Sequence, residues 1–445
     1  MQDLKDWCAQ NNITEVECLV ADMAGIPRGK ILPTEKFLKG LEEDSHRLPE
    51  SVFIQTVTGD FPDADIVDPV DIDVVLRPDP SSVRPVPWYE EPTAQIICDS
   101  LYIDGSDVGL ASRQVLKRVL SLYEARGWKP VVAPELEFFL VKVNADPDYP
   151  LEPPIGRSGR PETGRQAFGI DAVNEFDPLF EDVYDYCDAQ MIDIDTLNHE
   201  SGAAQFEINF RHGDAIELAD QVFLFKRTVR QTATRHNVYA TFMAKPMERE
   251  PGSSMHIHQS ILDMETGRNI FTNEDGSDSN MLRHFIGGLQ KYMPATLVFA
   301  APNVNSYRRF TYYEAPINTH WGYDNRTCGL RVPSSPPEAR RVENRLAGAD
   351  VNPYLALAAT LVAGYLGLVE ECPADEPHKE SVYNLPRNLP QHLDDALKNL
   401  EACEPVREAL GDRFVRAAIA VKNEEYRVYR TVISSWEREH LLLNV

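Results

Sequence analysis

Four stretches of this chain alternate apolar and ionisable residues with a period of two, the spacing that sends the two sets to opposite faces of a β-strand. In "APELEFFLV" (133–141) Glu135 and Glu137 share a face opposite Leu136 and Phe138. "QFEINF" (205–210) sets Gln205, Glu207 and Asn209 against Phe206, Ile208 and Phe210, with Glu200 seven residues ahead of Glu207. "SMHIHQS" (254–260) sets His256 and His258 against Met255 and Ile257, and "RRVENRL" (340–346) sets Arg341, Glu343 and Arg345 against Val342 and Asn344. One such strand is most simply a half-exposed edge whose polar face meets water. Four of them predict one curved sheet whose polar faces line a shared cavity holding Glu135, Glu137, Glu200, Glu207, His256 and Glu343. Like charges that close, partly dried by neighbours, demand a cation between them or a proton on one.

Elsewhere the pattern predicts a small β-rich unit followed by a larger one. "EVECLVAD", "DIDVVLRPD" and "TAQIICDSLYID" read as short strands separated by turn-rich pieces between residues 14 and about 104. The composition then shifts. Ser112 is placed to cap a helix whose Val115, Leu116, Val119, Leu120 and Tyr123 share a face, with Gly127 near its end. A boundary near residue 110 gives domains at 14–109 and 110–445. Residues 144–166, dense in proline and glycine, predict a long surface loop that is either functional or a plain solvated excursion. The apolar run at 354–369 is too short to cross a bilayer and predicts a buried helix opened by Asn352 and Pro353.

Length and charge narrow the possibilities. A chain of 445 residues exceeds one ordinary core, and its net charge of −26 argues against nucleic acid or an anionic membrane as a partner while favouring a cationic small molecule. The seven cysteines are scattered without a C-x-x-C, which fits a reducing compartment, and the first residues lack the basic-then-apolar pattern of a secretion signal, so a cytoplasmic location is expected.

Five carboxylates and one imidazole form an oxygen-rich set suited to Mg²⁺ or Mn²⁺. Arg309, Arg326, Arg331, Arg341 and Arg345 supply guanidinium forks that match phosphate and carboxylate. Metals with arginines point to phosphoryl transfer from a nucleotide. The chain has no G-x-x-x-x-G-K-S/T loop and no kinase-type glycine loop, so its nucleotide fold is of another kind.

The stretches "PELEFFL", "HESGAAQFEINF", "GSSMHIHQS", "NSYRRF" with "YEAP", "NRTCGLRVP" and "RRVENRLAGADVNPYLALAA" together resemble the glutamine synthetase superfamily, in order and across residues 16–445. The resemblance implies an α+β chain with a β-grasp N-terminal domain and a catalytic domain built on a curved antiparallel bifunnel sheet. It also implies a homo-oligomer of two stacked hexameric rings, with active sites between neighbouring subunits. Two Mg²⁺ or Mn²⁺ ions are implied, one held by Glu137, Glu200 and Glu207 and the other by Glu135, His256 and Glu343. ATP is implied as co-substrate near Glu207, His258, Ser260, Arg331 and Arg341. Arg309, Arg326 and Arg345 match residues that hold the glutamate carboxylate and the transferring phosphate, and Gly252 matches a backbone contact to the amino acid. Glu314 matches a flap glutamate that takes a proton from the incoming amine, and Asp22 an aspartate that binds the nitrogen nucleophile across the subunit boundary. Asp22 reads equally as a turn-initiating residue before "MAG".

Departures from the family pattern bear on the nucleophile. The F-D-G-S-S element of ammonia-using members is absent, Pro251 stands where those enzymes carry an asparagine, the flap is one residue shorter, and Glu338 replaces a nucleotide-contacting lysine. With "IPRGKILP" these features resemble the branch that joins glutamate to organic amines, including γ-glutamylpolyamine synthetases. The expected activity is ATP-dependent joining of L-glutamate to a diamine or polyamine such as putrescine, or to a monoamine. An ammonia-using glutamine synthetase and a non-catalytic ring protein are the alternatives.

Overall fold

The computed structural model describes residues 2–62, 65–311 and 315–445. After a short helix α1 (Gln2–Gln10), strands β1 (Glu15–Ala21), β2 (Pro27–Pro33), β3 (Arg47–Pro49), β4 (Asp73–Pro78), β5 (Arg84–Pro85) and β6 (Thr93–Leu101) form a mixed sheet, with helix α2 (Thr34–Glu42) packed on β1 and β2. The sheet runs in the order β2-β1-β6-β4-β3, and β1 and β6 are parallel neighbours within it. The alternation in β1 does not mark a wet face. Every residue from Val16 to Ala21 is buried, and the carboxylate of Glu17 is met by Arg227 rather than by water.

Helix α3 (Ser112–Glu124) opens the larger part of the chain. Its apolar face is as expected, but Ser112 is its first helical residue and does not cap it; Ala111 holds the cap position with no side-chain bond. The Ser112 hydroxyl instead donates to the backbone oxygen of Asp22 at 3.1 Å. Beside it Arg113, only 5% exposed, binds Asp79 at 2.7 Å, Asp99 at 2.6 Å and Asp220 at 2.8 Å. A buried guanidinium with several carboxylate partners is well matched in charge and hydrogen bonding, and this one ties β6 and the turn after β4 to the helix that carries Asp220.

The remaining strands are β7 (Trp128–Lys142), β8 (Ile194–His199), β9 (Gln205–Phe210), β10 (Gly213–Asp214), β11 (Val238–Thr241), β12 (Met255–Asp263), β13 (Trp321–Tyr323), β14 (Leu330–Val332) and β15 (Val342–Asn344). They form a curved, nearly closed nine-stranded sheet in the order β13-β14-β15-β12-β7-β9-β8, with β10 and β11 also paired to β7. All its pairs are antiparallel except β13–β14. The long strand β7 is the hub. Helices α4 (Ile170–Asn174), α5 (Asp177–Ala189), α6 (Ala215–Arg235), α7 (Asn280–Ala300), α8 (Pro353–Val369), α9 (Leu393–Ala402), α10 (Glu404–Leu410), α11 (Asp412–Tyr429) and α12 (Ser435–Leu441) complete the chain.

The four patterned stretches all lie in this sheet, and their apolar faces are its core. Leu136, Phe138, Phe206, Ile208, Met255 and Ile257 have no exposed surface. Phe138 meets Phe225 of α6 edge-on, and Gln259 and Asn344 bond Thr360 of α8. The stretch at 340–346 is strand only from Val342 to Asn344. As expected, residues 144–166 hold no helix or extended strand, and Asn352 caps α8 by accepting from the amides of Tyr354 and Leu355. No helix among the described residues is long and apolar enough to cross a membrane.

Helices α7 and α8 approach at Gly288 and Gly367, where a Cβ on Gly367 would lie 2.3 Å from the His284 backbone oxygen and 2.4 Å from the Gly288 Cα. Backbone cannot yield as a side-chain tip would. Gly367→Ala is therefore expected to destabilise the fold by roughly 1–3 kcal/mol, read as a lower urea midpoint at constant slope; an unchanged midpoint contradicts this packing.

Candidate active site

Strand register decides which polar residues meet. Pairing of β7 with β9 sets Glu137 opposite Glu207, pairing of β7 with β12 sets Glu135 opposite His256, and pairing of β12 with β15 sets His258 opposite Glu343. A slip by one residue would turn each set to the other face. Seven side chains from four strands and one turn converge as a result. Glu137, Glu200 and Glu207 each offer a ligand atom within 4.8 Å of the others, as do Glu135, Glu207 and His256, and Glu135, His258 and Glu343. Nδ1 of His256 lies 3.5 Å from Glu135 and 3.9 Å from Glu343.

The two halves of this cluster differ in charge. Burial alone would raise both Glu135 and Glu343. Hydrogen bonds from His256 and His258 outweigh it at Glu135 and hold that carboxyl well below the usual range, while the charge of Arg345, aided by the bond from Arg331, brings Glu343 down to about 2. Arg331 donates to Glu343 at 2.8 Å and Arg345 also binds it. His258 Nδ1 faces the Nε–H of Arg341 at 3.1 Å, so it must accept, and Nε2–H donates to Glu135 at 2.9 Å. Burial and the nearby Arg345 lower the pKa of His256, leaving a neutral imidazole.

The other half lacks such relief. Burial and the charge of Glu200 push Glu137 up to about 8, and burial with the charges of Glu137, Glu135, Glu200 and Glu343 pushes Glu207 up to about 9. Glu200 is raised as well, chiefly by burial. Three crowded carboxylates held at these separations, two of them protonated for want of a cation, fit a divalent ion with oxygen ligands. The neutral His256 with Glu135 and Glu343 offers a second set of suitable chemistry.

Arg309 is 2% exposed beside this face, donating to Ser254 at 3.0 Å and to the Leu346 carbonyl, and burial lowers it to about 10. Gly252 explains itself here: a Cβ would sit 2.4 Å from the Arg309 Cγ. Ser260 follows His258 on the same face of β12, half-buried. Arg326 lies exposed on the turn before β14, and no contact among the described residues joins it to the carboxylates. Glu338 is exposed, and Glu314 lies outside the described residues.

Asp22 is held within its own turn. Its side chain has no exposed surface, one oxygen accepts from the amides of Ala24 and Ile26, and the other from Arg28 at 2.8 Å. A carboxylate so enclosed anchors the β1–β2 turn. The site also holds Gln205 and Ser254, whose side-chain and backbone N–H groups reach Glu137 at 3.3 and 2.9 Å. Gln205 was signalled by its shared face with Glu207; the amide of Ser254 carries no sequence signal.

The family model for the glutamine synthetase catalytic domain matches residues 110–441. The chain is 35% identical to the γ-glutamylputrescine synthetase PuuA of Escherichia coli K12, over 97% of this chain and 92% of that protein. It is 32% identical to the glutamine synthetase of Pyrococcus abyssi, over 96% and 92% of the two chains. It is 30% identical to a glutamate–isopropylamine ligase of a Pseudomonas species, over 98% and 96%. Among solved structures, GmaS without ligand superposes with a TM-score of 0.85 at 26% identity, covering all of both chains.

The protonated pair sets a pH signature. Glu137 and Glu207, raised to about 8 and about 9 from 4.5, make the metal-free fold lose stability as pH climbs through that interval, because the folded state binds the extra protons. A divalent ion must displace those protons. Calorimetric titration of Mn²⁺ in two buffers of different ionisation enthalpy is expected to show proton release near neutrality and tighter binding with rising pH; pH-independent binding without proton release contradicts this charge arrangement.

Proposed function

This chain belongs to the glutamine synthetase family, and from that premise we propose that it is an ATP-dependent ligase joining the γ-carboxylate of L-glutamate to an amine. A diamine or polyamine such as putrescine is the first choice of nucleophile and a monoamine the second. The observation that carries the reading is the single register that gathers the carboxylates and histidines on one face, with Arg309, Arg331, Arg341 and Arg345 beside them. Glu137, Glu200 and Glu207 would hold one Mg²⁺ or Mn²⁺ and Glu135, His256 and Glu343 a second. When bound, the two ions supply neutralisation of the nucleotide's phosphate charge.

The chain's own residues then divide the work. His258, Ser260, Arg331 and Arg341 flank the nucleotide, with Arg341 fixing the His258 tautomer. Arg309, locked by Ser254 and the Leu346 carbonyl, presents its charge to the amino acid beside Gly252. Arg345 and Arg326 offset charge on the transferring phosphate. The glutamate γ-carboxylate attacks the terminal phosphorus of ATP, ADP leaves, and γ-glutamyl phosphate forms. A deprotonated amine then attacks the acyl carbon, phosphate leaves, and the amide forms; Glu314 is the base that takes the amine's proton. Placing these groups before reaction supplies most of the acceleration, since removing one such contact costs about 10²-fold or more in rate.

Residues 14–109 act as a β-grasp domain and 110–445 as the catalytic domain, assembled into two stacked hexameric rings with sites completed between subunits. Two features support an organic amine over ammonia. The F-D-G-S-S element is absent, and two of the relatives carry amine names. The ammonia-using alternative draws on the archaeal relative.

Release of ADP with glutamate, Mg²⁺ and a panel of ammonium, methylamine, isopropylamine, putrescine and spermidine tests the assignment. Turnover is expected with an organic amine at concentrations where ammonium gives little. High activity with ammonium and none with the others overturns it. Arg309→Ala is expected to lower kcat/KM for glutamate about 10²-fold or more.

A further inference from the structure

The excursion at 144–166 reaches the carboxylate cluster through one residue. Oε2 of Glu162 receives Nε2 of His199 at 3.0 Å and the amide of Ala204 at 2.7 Å. Those two residues bracket the turn that joins β8 to β9 and carries Glu200. The turn is tightly bound throughout. Its four successive amides go to side-chain oxygens, Ser201 to Glu200, Gly202 to Gln205, Ala203 to Glu250 and Ala204 to Glu162. Ala204 holds a φ of +54°, a conformation an alanine keeps only under external restraint.

We propose that Glu162 is a positioning residue that clamps both ends of the 199–205 turn and thereby fixes the carboxylate of Glu200 against Glu137 and Glu207. The inference rests on the proposed role of those three residues as ligands of one divalent ion. His199 and Ala204 are each about 1% exposed or less, so neither N–H can turn to water when Glu162 is lost. His199 is pinned on its other sides as well. Its Nδ1 lies 2.6 Å from the Glu200 carbonyl, its own carbonyl accepts from the amide of Phe168 at 2.9 Å, and its ring packs edge-on against Phe206. Removing Glu162 therefore strands two buried donors and frees the left-handed alanine to relax, and the displacement falls on Glu200. Glu135, His256 and Glu343 sit on strands that Glu162 does not touch, so their ion should be indifferent.

Mn²⁺ binding to the metal-free, full-length protein, followed by electron paramagnetic resonance and calorimetry, tests this. Wild type is expected to bind two ions. Glu162→Ala is expected to weaken one of them about 10- to 100-fold while the other changes little, the range typical of groups that orient metal ligands. Glu162→Gln keeps an oxygen for the Ala204 amide and is expected to fall between the two; it also serves if the alanine variant fails to fold. Hydrogen exchange at the Ala204 amide, measured without metal, should quicken in Glu162→Ala. Two ions bound as tightly as in wild type, or both weakened equally, overturn the proposal. If wild type binds no Mn²⁺, the ligand assignment fails, and unchanged exchange at Ala204 then overturns the clamp on its own.

Discussion

The structure is organised by repulsion that the sheet holds in place. Strand β7 pairs with β9 on one side and β12 on the other, and its register brings Glu137 against Glu207 and Glu135 against His256. The apolar faces of the same strands are sealed against α6 and α8. The core thus fixes the register, and the register fixes the crowding of carboxylates. Left to themselves these groups would separate or fill with water; here they can only bind protons or cations.

The arginines divide this charge unevenly. Arg331 and Arg345 converge on Glu343, and two histidines serve Glu135, while Glu137, Glu200 and Glu207 compete with one another. One half of the cluster is close to balanced by fixed cations, and the other can offset its charge only with protons or a metal ion. That asymmetry gives the two proposed ion sites different dependence on pH and on their surroundings. The N-terminal sheet is locked to the same framework. The backbone oxygen of Asp22 receives both Ser112 and Asn352, and Arg113 gathers acids from the turn after β4, from β6 and from α6.

Much of the site was legible because period-two patterning records a strand's two faces directly. Glu135, Glu137, Glu207, His256, His258 and Glu343 were all placed on one polar surface by alternation alone, and the cap at Asn352 followed from its neighbouring proline. What escaped depends on contacts distant in sequence. Ser112 has the chemistry of a helix cap, yet its oxygen accepts from the Asn352 side chain at 2.9 Å while its hydroxyl donates to Asp22. Glu162 sits in a proline- and glycine-rich loop with no periodicity, so nothing local announces that it meets His199.

The central claim is that this sheet cages two divalent ions between named side chains. Anomalous diffraction from crystals grown with Mn²⁺ and ADP tests it most directly. The account predicts two manganese peaks, one touching Glu137, Glu200 and Glu207 and the other touching Glu135, His256 and Glu343. Peaks elsewhere, or none at saturating Mn²⁺, would contradict it.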